Sequence, residues 1–109
     1  MTKISISISV LSFLVMVSVA HADPQKLAEE KQCLICHSVD NKIGRATGFR
    51  TIAQKYSGKA DAEANLVHMI KKGGVGHWGY IPMPPAGWKR PAVSEAEAKQ
   101  LVDWILALH

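Results

Sequence analysis

The sequence predicts an all-α fold of about four short helices, and three observations carry that prediction. Apolar residues recur at helical spacing in three separate stretches. Capping signals stand at the points where helices should begin. Beyond residue 22, no segment has the β-branched, period-two character of a strand. The chain has 109 residues, which is one small domain and excludes a multidomain enzyme.

The first helix is predicted from Asp23-Pro24, an N-cap followed by proline in the first turn, through the helix formers Gln25 to Gln32. Thr47 is the expected cap of the second, in which Phe49, Ile52, Ala53 and Tyr56 form one stripe. The third is expected over about residues 61–72, with Ala62, Leu66, Met69 and Ile70 inward, Lys71 and Lys72 at its negative end and Gly73 as its stop. Ser94-Glu95-Ala96-Glu97 is a capping box, and Ala98, Leu101, Val102, Ile105 and Leu108 follow as the apolar face of the last helix, bordered by Trp104.

Residues 1–22 contain Lys3, no acidic side chain, an uncharged run from Ile4 to Ala20 and the small-residue pattern Ala20-His21-Ala22. This reads as a secretory signal cleaved before Asp23, leaving a single domain over 23–109 and a periplasmic location. The alternation from Ile4 to Ser9 also fits a strand, and an uncleaved run would be an anchor. A serine-interrupted run of about 17 residues is short for a bilayer, so cleavage and no stable membrane insertion are expected. The 13 Lys+Arg against 9 Asp+Glu are too mild an excess, and too dispersed, for a nucleic-acid partner.

Between the third and fourth predicted helices, residues 73–93 hold four of the five prolines. A structureless loop of that length in a small domain needs something to organise it. Pro82, Pro84 and Pro85 stiffen its middle and present Met83 between them.

The only two cysteines stand in Cys33-Leu34-Ile35-Cys36-His37, the Cys-x-x-Cys-His pattern of covalent haem attachment. One turn sets two thiols on the same side to add to the vinyl groups of one porphyrin edge, and the next residue offers its imidazole to the iron. A thioredoxin-type redox pair lacks its βαβ context here. Two cysteines with scattered histidines make a weak zinc site, and a disulfide across two residues closes too small a loop to stabilise much. One haem c held by Cys33 and Cys36 is therefore the expected cofactor, with His37 as proximal ligand.

For the sixth position Met83, His68, His77 and Met69 are the candidates. Met69 falls on the apolar stripe of its helix, and His68 reads as a solvent-facing helical residue. His77 lies in a glycine-rich stretch, an alternative to Met83. Met83 has the proline frame and enough intervening chain to reach the opposite haem face, and a thioether closes the coordination sphere and favours ferrous iron. Electron transfer, not oxygen activation, follows from a closed sphere.

These residues, together with Trp78-Gly79-Tyr80-Ile81-Pro82-Met83-Pro84-Pro85 and Trp104, resemble the small bacterial class I monohaem cytochromes c of the c-551/c-552 group over essentially all of 23–109. The resemblance implies the class I cytochrome c fold, helices wrapped around one haem with the first and last crossing. It implies a soluble, monomeric periplasmic carrier and no enzymatic activity. Electrons would arrive from a quinol-oxidising complex or another cytochrome and leave to a terminal oxidase or nitrite reductase. It also implies that Trp78 donates its indole hydrogen to a haem propionate and that Trp104 packs between the terminal helices; both also fit plain core aromatics.

Four departures from that pattern stand out. The Gly-Pro whose proline carbonyl orients the proximal imidazole is absent from Ile43-Gly44-Arg45-Ala46-Thr47-Gly48, so another carbonyl must serve. Met69 replaces an arginine that reaches a propionate, and Ala86 replaces an asparagine near the thioether. Gly87-Trp88-Lys89-Arg90-Pro91 is an insertion; Lys89 and Arg90 are the cations available to replace the missing arginine, Trp88 is available to cover the haem or a docking patch, and an exposed loop without a role is the plain alternative. Lys42, Lys71, Lys72, Lys89 and Arg90 are candidates for a partner-encounter surface. Two rivals stay open: a peroxidase or gas-reactive haem protein with a labile Met83, and a cytochrome subunit of a larger complex.

Overall fold

The computed structural model describes residues 2–3, 12–15, 23–41, 45–75 and 81–108. Their secondary structure is four α-helices, α1 (Pro24–Glu30), α2 (Phe49–Tyr56), α3 (Ala62–Lys72) and α4 (Glu95–Leu106), with a 3₁₀ turn at Cys33–Ile35. Among the described residues the only β-type pairing is an isolated bridge between Gly74 and Met83. The domain boundary expected at residue 22 lies outside the described residues.

Helix α1 begins as expected, with the Asp23 carboxylate accepting from the Gln25 N–H at 3.0 Å. It stops at Glu30, short of Gln32, because Gln32 takes a left-handed backbone, φ 61°, that breaks the helix into the 3₁₀ turn. Its two apolar side chains, Leu27 and Ala28, are buried against α4.

The start of α2 differs from expectation. Its cap is Gly48, and no side chain caps it. The chain preceding it replaces a capping side chain: the Phe49 and Arg50 N–H groups donate to the carbonyls of Ser38 and Val39 at 2.8 and 3.2 Å. That approach is so close that a Cβ on Gly48 would sit 2.0 Å from the Asp40 carbonyl oxygen. The predicted stripe holds, with Phe49, Ile52 and Ala53 buried and Tyr56 partly so.

Helix α3 buries Ala62, Val67 and Ile70, whereas Leu66 and Met69 are only partly covered. Its inner face is thus rotated toward Val67 because α4 packs on that side. Ion pairs flank this seam at Lys71–Glu95, 3.6 Å, and Lys99–Glu63, 3.7 Å. Helix α4 starts with the full capping box, Glu97 N–H to Ser94 Oγ at 3.1 Å and Ser94 N–H to Glu97 Oε2 at 2.8 Å. It buries Ala98, Leu101, Val102 and Ile105.

The core has two parts. Leu27, Ala28, Val67, Ile70, Val93, Ala98, Leu101 and Val102 join α1, α3 and α4. Phe49, Ile52 and Ile105 join α2 to α4. Cys33, Leu34, Leu66 and Trp104 pack against both, so the cysteine motif sits where the two parts meet.

The long connection after α3 is organised by hydrogen bonds to that helix and across itself. Gly74 and Met83 exchange N–H···O bonds of 3.0 and 2.8 Å, and the Ala86 N–H reaches the Lys71 carbonyl at 3.2 Å. Gly73 makes the fold possible twice over: its φ is 68°, and a Cβ there would lie 2.2 Å from the Met83 carbonyl oxygen.

Candidate functional site

The Cys-x-x-Cys-His segment is held by its own backbone. The N–H groups of Cys36 and His37 both donate to the Cys33 carbonyl, at 3.3 and 3.0 Å, which closes the turn that carries both thiols. Both cysteines are half-buried, and Ile35 between them is exposed. Burial raises the Cys33 thiol above its ordinary pKa, with the Arg90 charge opposing it.

His37 Nδ1 lies 2.7 Å from the Thr47 carbonyl oxygen. A carbonyl only accepts, so Nδ1 carries the hydrogen and the lone pair stands on Nε2. That is the tautomer a metal-binding imidazole needs, and the Thr47 carbonyl takes the place of the missing proline carbonyl. Burial holds His37 below its ordinary pKa, opposed by the Thr47 bond. The imidazole stacks on Phe49, ring centroids 4.9 Å apart at 20°, and Phe49 meets the edge of Trp104 at 5.7 Å and 78°. A ring chain therefore runs from α4 through α2 to His37.

Met83 is held by its own segment, its backbone fixed by the bridge to Gly74 and its neighbours fixed as prolines. Cys33, His37, Phe49, Ile70, Met83, Leu101 and Ile105 line one apolar cavity. Between protein atoms alone the cavity is about 30 Å³. The donor set fits haem c: a thiol, an imidazole with its Nε2 lone pair free and a thioether share one apolar seam.

The other candidates separate from this seam. Met69 lies along α3 with its sulfur over Gly74, 3.1 Å from where a Cβ would stand, and is not part of the lining. His68 is exposed and lines a larger, open groove between α3 and α4 with Lys71, Lys72, Glu95 and Lys99. That groove shares no residue with the cysteine motif, and its ion pairs, Lys71–Glu95 and Lys99–Glu63, are largely exposed. His77, Trp78 and Lys42 lie outside the described residues. Among the described residues no group of three or more His, Cys, Asp and Glu side chains is placed to hold a metal ion.

In residues 87–91 the two adjacent cations part company. Lys89 is exposed with its Nζ 4.4 Å from the centroid of the Trp88 ring, and Arg90 is half-buried and donates to the Pro84 and Ile70 carbonyls. Sequence reasoning missed the stacking of Phe49 on His37 and assigned Thr47 a cap, although the requirement for some carbonyl near His37 was legible.

A family model described as Cytochrome c matches residues 22–109. Cytochrome c-552 of Hydrogenobacter thermophilus is 45% identical over 85 residues, covering 77% of this chain and 80% of that protein. Cytochrome c-551 of Pseudomonas aeruginosa is 44% identical over 86 residues, covering 78% and 76%. The crystal structure of wild-type cytochrome c552 of Nitrosomonas europaea superposes with a TM-score of 0.69 at 44% identity, covering 78% of this chain and 99% of that one.

Proposed function

The chain belongs to the cytochrome c family, and on that premise we propose that it is a soluble periplasmic one-electron carrier whose single haem iron is held between His37 and Met83. The fold is the all-α class I cytochrome c fold, and the chain carries one haem c attached covalently through Cys33 and Cys36. When bound, haem c supplies an iron that cycles between ferrous and ferric states.

The observation that carries the reading is the convergence of His37 and Met83, which are far apart in sequence, on one apolar cavity that also contains Cys33. Thr47 holds the imidazole in the tautomer that presents Nε2, and Phe49 holds its plane. The Gly74 bridge and the prolines hold Met83, so both donors keep their places in either oxidation state. Ile70, Leu101, Ile105 and Phe49 exclude water from the seam. No bond-making chemistry falls to the protein.

Export follows from reading residues 1–22 as a cleaved signal, and no described helix is long and apolar enough to cross a membrane. Exchange with a quinol-oxidising complex or cytochrome donor, and with a terminal oxidase or nitrite reductase, would use a small transient interface. Exposed Ile81, Ile35 and Val75 belong to the segments that carry the donors, and Trp78 is assigned to a haem propionate. Optical spectra of the protein purified from the periplasm test the reading. Low-spin haem c with a far-red sulfur-to-iron band when oxidised supports it; a high-spin ferrous form that binds carbon monoxide contradicts it.

A further inference from the structure

Arg90 lies in the segment 87–91, and its surroundings are unlike those of a surface cation. The chain reverses there, with Gly87 at φ 84° and Lys89 at φ 59°, and the Gly87 N–H donates to the Arg90 carbonyl at 3.1 Å. The reversal leaves Lys89 outside and turns Arg90 inward. Arg90 Nε donates to the Pro84 carbonyl at 2.9 Å, and Nη2 donates to the Ile70 carbonyl. Nη1 is buried and has no partner among the described residues.

We propose that Arg90 is the positioning residue of Met83 and a fixed positive charge that favours reduced over oxidised haem, a role that rests on Met83 being the axial ligand. Ile70 and Met83 both line the cavity. One planar guanidinium therefore ties a backbone carbonyl of α3 to the carbonyl of the residue after Met83, and sets how far the Met83 loop stands from the helix. The Ile70 carbonyl is in the last turn of α3, where a cation meets the negative end of the helix.

The charge has no carboxylate against it among the described residues, and it is bonded to the carbonyl of Ile70, whose side chain lines the same cavity as His37 and Met83. Ferric haem carries one more positive charge than ferrous haem. A half-buried guanidinium bonded to the carbonyls of Ile70 and Pro84 therefore disfavours the ferric state by Coulombic repulsion.

The test compares wild-type holoprotein with R90Q, R90K and the exposed neighbour K89Q, by redox titration and by the persistence of the far-red band as denaturant rises. R90Q should shift the ferric-to-ferrous equilibrium toward ferric on the order of tenfold, or ~59 mV for one electron, and lose the band at lower denaturant. R90K should keep most of the potential but lose the band early, because an ammonium cannot bridge two carbonyls as the guanidinium fork does. K89Q should match the wild type. Wild-type potential and band persistence in R90Q would overturn the proposal, as would equal shifts in R90Q and K89Q. If R90Q fails to take up haem, an R90K band as persistent as the wild type overturns it. Absence of the band from the wild type itself would instead overturn the Met83 assignment.

Discussion

His37 Nδ1 and the Thr47 carbonyl oxygen are 2.7 Å apart, so the orientation of the imidazole is set by a backbone atom of the residue just before Gly48. A backbone carbonyl cannot be deleted by changing its own side chain. The bond is tested through the chain path that delivers it.

Gly48→Ala places a methyl 2.0 Å from the Asp40 carbonyl oxygen, and the backbone on one side must yield. The expected result is a loss of about 1–3 kcal/mol in denaturant unfolding, together with an altered His37 ring signal in NMR. Thr47→Ser, which keeps the carbonyl, should leave the ring signal in place.

Phe49→Ala removes the ring between His37 and Trp104. Phe49 is 4% exposed, so the cavity left behind should cost about 3–5 kcal/mol, read by urea or guanidinium unfolding of the haem-loaded protein.

Gly73→Ala asks a left-handed residue, φ 68°, to carry a Cβ into the Met83 carbonyl. The Gly74–Met83 bridge should open. The oxidised protein should lose its far-red band at lower denaturant than the wild type, with at least ~1 kcal/mol of stability lost from the backbone conformation alone.

Acidification should weaken the start of α4. The Ser94 N–H and the Lys31 ammonium hold the Glu97 carboxyl below its ordinary range. A depressed folded pKa means that the contribution is complete above the unfolded value of about 4.3 and is lost as pH falls through the folded value. Glu97→Gln should flatten this part of the stability-versus-pH curve, and Ser94→Ala should cost about 1 kcal/mol near neutrality.

What could be read from the sequence divides along the same physical line. Asp23-Pro24, the Ser94–Glu97 box and the stop at Gly73 are local signals, complete within a few residues, and the structure repeats them. Cys33, His37 and Met83 were legible because spacing and a proline frame announce them, and they meet at one cavity. The cap of α2 was misread because the groups that satisfy it are the carbonyls of Ser38 and Val39, which no side-chain pattern encodes. Val67 is buried and Met69 only partly so because α4 decides which side of α3 is covered, a tertiary fact. The different fates of Lys89 and Arg90 depend on a chain reversal at left-handed residues. Trp78, His77 and the cleavage point lie outside the described residues.

The most direct test of the account is the absorption spectrum of the purified protein, oxidised and then reduced, with and without carbon monoxide. His37/Met83 ligation predicts low-spin haem c, a far-red band in the oxidised form that Met83→Ala abolishes, and no carbon monoxide adduct in the wild type. A high-spin ferrous form that takes up carbon monoxide, or a far-red band that survives Met83→Ala, would contradict it.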